Sequence, residues 1–173
     1  LGTRFAEAYD VSYTDEDEAS QLAHTTSWGL SWRALGALIM THSDDQGLVI
    51  PPPLAPEQVV IVPIWQADTR EAVLEYAEGI AEELEAADIR VELDDREGRN
   101  PGFKFNEWEL KGVPLRIEVG PNEVADEELT LVHRPDGHQH AEPRADLEAA
   151  VETALETVYD TLYENAQATL EAG

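Results

Sequence analysis

The sequence contains no cysteine, which excludes disulfides and any thiolate zinc site in this chain. It has no apolar run near the ~20 residues of a membrane span. Nor does it open with the basic-then-apolar pattern of a secretory leader. These features agree with a cytosolic protein. Positive charge is scarce: 11 Lys and Arg stand against 37 Asp and Glu, for a net charge of −26, and only two of the cations are lysine. A small soluble domain usually carries a net charge of magnitude ~2–8. Disorder is one source of such an imbalance, but regular apolar periodicity and 42% hydrophobic residues indicate a real core. An acidic surface adapted to very high salt is the better reading, since screening at ~1 M acts within ~3 Å.

That balance looks wrong for a nucleic-acid partner, but the distribution is uneven. Arg96, Arg99, Lys104, Lys111 and Arg116 account for five of the 11 cations, and none follows Arg144. A local basic site on an acidic body is compatible with this, at modest affinity in salt.

At 173 residues, one or two small domains are expected. Leu1 to Tyr13 alternates like a strand and its continuation, and Asp15–Glu18 reads as an acidic hairpin tip. Thr26–His42 reads as a short strand, a break at Gly29 and a helix. Ser31 stands at the helix start, and Leu35, Leu38 and Ile39 form an apolar stripe. Arg33 falls in the first turn, where the helix dipole disfavours a cation. It is a candidate ligand-binding residue, with a solvated arginine as the bland alternative. Pro51, Pro52, Pro53 and Pro56 suggest a stiff, extended linker.

From Val59 the pattern becomes α/β. Val59–Ile64 is an unbroken apolar run, hence a buried strand. Arg70–Ala87 has Val73, Tyr76, Ala77, Ile80 and Leu84 at helical spacing, and Ile89–Leu93 alternates as a strand, which implies a right-handed parallel crossover. Asp94–Asn100 is a charged loop, and a short helix starts at Pro101–Gly102 and ends at Gly112. Leu115–Val119 and Leu129–His133 are strands. Arg134–Gly137 is a tight turn leading to a strand at His138–Glu142, and a long helix runs from Arg144 to about Gln167. His42 is read as structural. His138 and His140 face one side of a strand, but no third ligand accompanies them and no metal site is assigned.

Two blocks carry a family resemblance. The first is Thr26-Ser-Trp-Gly29, Ser31-Trp-Arg33, Gly36, Thr41–Asp45, Gly47–Ile50 and Pro51-Pro52. The second is Pro101-Gly-Phe-Lys-Phe-Asn-Glu-Trp-Glu-Leu-Lys-Gly-Val-Pro114, followed by Arg116 and Gly120-Pro121. The first resembles motif 3 of class II aminoacyl-tRNA synthetases, and together the blocks resemble prolyl-tRNA synthetases of the archaeal/eukaryotic type over nearly the whole chain. The resemblance implies a five-stranded mixed sheet with three helices, the anticodon-binding domain. The C-terminal segment of an antiparallel catalytic domain would precede it. It divides the chain into a catalytic remnant (1–50), a linker (51–58), the anticodon-binding domain (59–145) and that domain's C-terminal helix (146–173), leading to a further domain.

The same resemblance implies a parent enzyme, a homodimer, that joins L-proline to tRNA(Pro) through prolyl-adenylate, using ATP and Mg2+. Ser31 and Arg33 would contact ATP, and Trp28 and Gly29 would wall the proline pocket. Glu109 and Arg116 would read anticodon bases, with Phe103, Lys104 and Lys111 as neighbours. Thr3, Arg4, Trp32, Ser43 and Asn122 depart from the family pattern; Asn122 stands where a basic residue is usual. Motifs 1 and 2 would lie upstream of Leu1, so this chain alone is expected to lack amino-acid activation. The alternatives are a stand-alone RNA-binding module and a threonyl-type enzyme.

The acidic surface makes one expectation independent of family. Unfolding followed against KCl should show stability rising with salt; full stability at low ionic strength would contradict a salt-adapted surface.

Overall fold

The structure, a computed structural model, describes residues 1–172. It forms two compact units, Leu1–Ala34 and a larger one from Leu35 onward. The first holds a short helix, α1 (Arg4–Tyr9), and an antiparallel hairpin of β1 (Ser12–Thr14) and β2 (Ser20–Leu22). The strand expected over Leu1–Tyr13 is therefore helical in its first half. Phe5 and Tyr9 stack one helical turn apart, a pairing only a helix permits, and Asp10 ends it in the left-handed region at φ 53°. The hairpin tip is as expected: the Asp15 carboxylate accepts hydrogen bonds from the backbone of Asp17 and Ala19.

The strand expected before Gly29 does not form. Ala23 N–H donates to Val11 O and Thr25 N–H to Gly2 O, after which residues 26–31 carry no ladder. Helix α2 (Arg33–His42) follows, but its apolar stripe is not a core face. Leu35 and Ile39 are exposed, Leu38 is half-buried, and the helix has no buried residue.

The larger unit is built on a five-stranded sheet in the order β4-β3-β5-β6-β7. The strands are β3 (Val59–Pro63), β4 (Val91–Leu93), β5 (Leu115–Val119), β6 (Glu128–His133) and β7 (Gln139–Pro143). β3 runs parallel to β4 and β5, and the β5–β6 and β6–β7 pairs are antiparallel. The sheet is thus mixed, as expected. β3 is buried along its whole length because both its faces are covered. On one face Val59 and Ile61 meet α3 (Arg70–Ala86) and α6 (Leu147–Ala172) in the main core, with Leu115, Ile117, Leu129 and Leu131. On the other, Val60 and Val62 meet Trp108 and Phe105 of α4 (Pro101–Lys111).

Four helices rather than three accompany the sheet. The additional one, α5 (Pro121–Asp126), is short: Pro121 sets its first turn and Glu123 folds back to accept the Gly120 N–H at 2.9 Å. A 3-10 turn at Arg144–Asp146 precedes α6.

The proline-rich segment is not an extended spacer. Leu54 and Ala55 N–H both donate to Pro51 O, which closes a turn, and Pro51, Pro52 and Ala55 are buried. Arg90 clamps it by donating to the carbonyls of Ala55 (2.9 Å) and Pro52 (3.0 Å). Just upstream, Val49 packs on Val158 and Leu162 of α6. Prolines without N–H groups leave carbonyls unpaired in a turn, and a guanidinium satisfies several at once.

The segment 44–50 also fixes the end of α4. Leu48 N–H donates to Leu110 O and Ile50 N–H to Gly112 O. Gly112 sits at φ 77°, and a Cβ there would lie 2.6 Å from Leu48 O. Gly112→Ala should therefore cost at least about 2 kcal/mol, combining left-handed strain with a backbone clash. A urea midpoint equal to that of the parent chain would show that this close approach is not a constraint.

Candidate nucleic-acid interface

The candidate site rests on α4, which is held at both ends. At its start the Asn100 side chain accepts the Phe103 N–H at 2.8 Å and Pro101 sets the first turn. Along its length it is tied to Asp94, the first residue of the loop expected to be charged. Asp94 is 2% exposed. Its carboxylate accepts from Arg96 Nη2 (2.7 Å), Arg96 Nε (2.8 Å) and Trp108 Nε1 (2.8 Å). Lys104 Nζ lies 3.5 Å from Asp94 Oδ1 and donates to its backbone carbonyl at 2.7 Å. Burial alone would push the Asp94 carboxyl up; the hydrogen bonds from Arg96 and Trp108 and the Lys104 charge outweigh it and hold it well below the usual range. Arg96 extends the network to Glu107.

Arg116 and Glu109 come together at the opposite end of α4. Arg116 is next to Val60 in the β3–β5 register, so it projects on the face that α4 covers. Its Nη1 donates to Glu109 Oε1 and its Nε to Glu118 Oε1, each at 3.0 Å. Its guanidinium lies 4.2 Å from the centre of the Phe105 ring. Both residues line a cavity of about 190 Å3 with Asp44, Trp108, Arg134 and Asp136. Arg134 closes one wall. It is buried, donates through both Nη atoms to Asp44 (2.7 and 2.8 Å) and through Nε to Glu109 O. The cavity thus presents a planar cation, carboxylates and an aromatic ring within one small space. This donor and acceptor set suits the polar edge and the face of a nucleobase.

Residues 58–156 match the model of the family described as "Anticodon binding domain". The chain belongs to this family. It is also 67% identical over 171 residues to "Proline--tRNA ligase" of Halorubrum lacusprofundi, covering 99% of this chain and 35% of that protein. The protein of the same name from Natronomonas pharaonis is 72% identical over 171 residues, with the same coverage. That of Chloroflexus aurantiacus is 54% identical over 137 residues, covering 78% of this chain and 28% of that protein. The chain spans about a third of the length of the curated relatives it matches.

Within this anticodon-binding domain, the remaining expected site residues separate by environment. Phe103 is exposed, with the Arg99 guanidinium 4.5 Å from its ring centre. Lys111 lies at the surface, 3.8 Å over the Trp108 ring and 3.2 Å from Glu107. Lys104 takes a different place from the one its sequence suggests. It is 2% exposed, and its ammonium is used up by Asp94, so it holds α4 rather than offering a surface contact. Asn122 is exposed near the start of α5. In the smaller unit, Trp28, Gly29, Ser31 and Arg33 are all exposed. Ser31 caps α2 by its carbonyl, which accepts the Ala34 N–H.

The sequence pairing of His138 with His140 missed a third imidazole. His133 lies 5.6 and 5.3 Å from them, centre to centre, because β6 and β7 are antiparallel neighbours. Burial pushes the His133 imidazole down, which keeps it neutral beside the other two. Among the described residues, no group of three or more ligands is arranged to hold a metal ion.

The Arg134 clamp has a pH signature. Its hydrogen bonds pull the Asp44 carboxyl from about 3.8 to about 2. A carboxyl whose pKa is lower in the folded state adds stability above its unfolded value and loses it as pH falls through the folded one. The urea midpoint should therefore fall between about pH 4 and pH 2, and Asp44→Asn should flatten part of that fall. An Asp44→Asn profile parallel to that of the parent chain would exclude the clamp as the cause.

Proposed function

We propose that this chain is the C-terminal part of a proline–tRNA ligase and that its larger unit reads the anticodon of tRNA(Pro). The observation that carries this is the Glu109–Arg116 pair, which lines one small cavity together with Trp108 while Phe105 lies under the Arg116 guanidinium. The proline anticodon ends in two guanines. A guanine presents N1–H and N2–H, which a carboxylate accepts, and O6 and N7, which a guanidinium satisfies. Glu109 and Arg116 offer one of each, already oriented toward each other. In the free domain they partner one another, so neither charge is left unpaired. Binding exchanges that ion pair for paired contacts to a base. The Phe105 ring beneath Arg116 holds the guanidinium plane in place. Lys111, over the Trp108 ring, flanks this surface, and Phe103 lies at the other end of α4.

In the parent enzyme, residues 1–50 would belong to the catalytic domain. Trp28 and Gly29 would face L-proline, and Ser31 and Arg33 would face ATP with its Mg2+. Their exposure supports that reading. Trp28 (92%), Leu30 (88%) and Trp32 (86%) are large apolar side chains left in solvent within five residues, which a covering catalytic domain would bury. That exposure also speaks against a stand-alone RNA-binding module. The names carried by the relatives at 67% and 72% identity favour the prolyl over the threonyl type. A cytoplasmic homodimer is the form this reading implies.

Arg116→Ala and Glu109→Ala, made in the full-length enzyme, should each lower aminoacylation of tRNA(Pro) by about 5- to 150-fold, the cost of one lost base contact of ~1–3 kcal/mol. Discrimination against an anticodon-changed tRNA should fall in parallel. Equal charging of both tRNAs by the parent enzyme and by Arg116→Ala would refute the assignment.

A further inference from the structure

A second cavity lies at the other end of α4, where the carboxyl end of β3 meets the loop after β4. Its volume is about 340 Å3, and Arg70, Arg96, Arg99 and Lys104 line it together with Trp65. Four of the chain's 11 cations thus surround one cavity, against a single lining carboxylate, Glu97. In a chain of net charge −26 this concentration is the reverse of the average surface.

The cations are not equivalent. Lys104 and Arg96 are engaged with Asp94, and Arg96 also with Glu107. Arg70 pairs with Glu97 at 2.6 Å, both side chains being largely exposed. Arg99 has no carboxylate partner among the described residues; its guanidinium rests over Phe103. The Trp65 indole is half-buried and has Lys104 Nζ 5.1 Å and Arg70 Cζ 5.9 Å from its centre. The cavity therefore joins an exposed unpaired cation, a second cation in a weak surface pair and a fixed aromatic face.

We infer that this cavity is a second RNA subsite, which holds a phosphate on Arg99 and Arg70 and a stacked base on Trp65. It deepens the anticodon reading and rests on it. The geometry is sequence-blind: guanidinium groups meet phosphate, and an indole stacks on any base. Lys104 and Glu109 are five residues apart on α4, about 7.5 Å along its axis. The two cavities divide the work, one choosing the base and the other gripping the backbone.

The test uses the full-length enzyme and two fluorescent RNA hairpins, one with a proline anticodon loop and one with both guanines changed. Binding is measured by anisotropy over a series of KCl concentrations. Arg99→Glu should weaken both hairpins by a similar factor, about tenfold, and reduce the salt slope by about one. Trp65→Leu should also lose about tenfold on both, with Trp65→Phe retaining most of the affinity. Unchanged affinity and slope in Arg99→Glu, while Arg116→Ala abolishes discrimination, would overturn the subsite and leave the anticodon reading intact. A loss by Arg99→Glu confined to the proline hairpin would also overturn it, since Arg99 would then be reading bases. If the parent enzyme binds the two hairpins equally, or neither, the anticodon reading itself fails, and this subsite with it.

Discussion

The larger unit turns on one buried carboxylate. Asp94 gathers Arg96, Trp108 and Lys104 from a loop and a helix that local interactions alone would not align. An ionised group taken out of water is costly unless its oxygens are filled with donors, and here they are. Filling them forces α4 against β3 in one rotation. That rotation places Glu109 beside Arg116 at one end and Phe103 beside Arg99 at the other. The interface is thus a consequence of a core polar network rather than of surface residues chosen one at a time.

Scarcity of cations sharpens the point. Five of the 11 are committed to partners within the fold: Lys104 and Arg96 to Asp94, Arg134 to Asp44, Arg90 to the proline turn, and Arg144 to Glu83. Arg99, with no carboxylate partner among the described residues, and Lys111, held only by a surface pair with Glu107, lie immediately before α4 and on it. Where the overall field repels a polyanion, a few uncommitted cations beside aromatic faces decide where it can approach.

Much of this was legible beforehand, and the failures have a common physical source. Period-2 and period-3.6 apolar patterns located β3, β5, β6, α3 and α6 to within a few residues, because those elements bury a continuous face. The misses fall where burial is absent or polar. Residues 1–13 and 23–32 carry little buried surface, so their alternation has nothing to enforce it. Helix α5 is too short to show a period. The proline segment reads as a spacer until Arg90, some 35 residues away, folds it into a turn. Lys104 reads as a surface cation until Asp94 draws it inside.

By itself the sequence determined the α/β class, the sheet's buried strands, the start and end of α4 and the resemblance of the Pro101–Pro114 block to an anticodon-binding domain. These depend on local pattern, which each segment carries alone. Only the tertiary structure decided which charges are free. The burial of Asp94 and Lys104, the meeting of His133 with His138 and His140, and the Arg134–Asp44 clamp join residues as far as 90 positions apart. Charge partnership across such separations depends on how strands and helices stack, and no spacing rule within one segment encodes it.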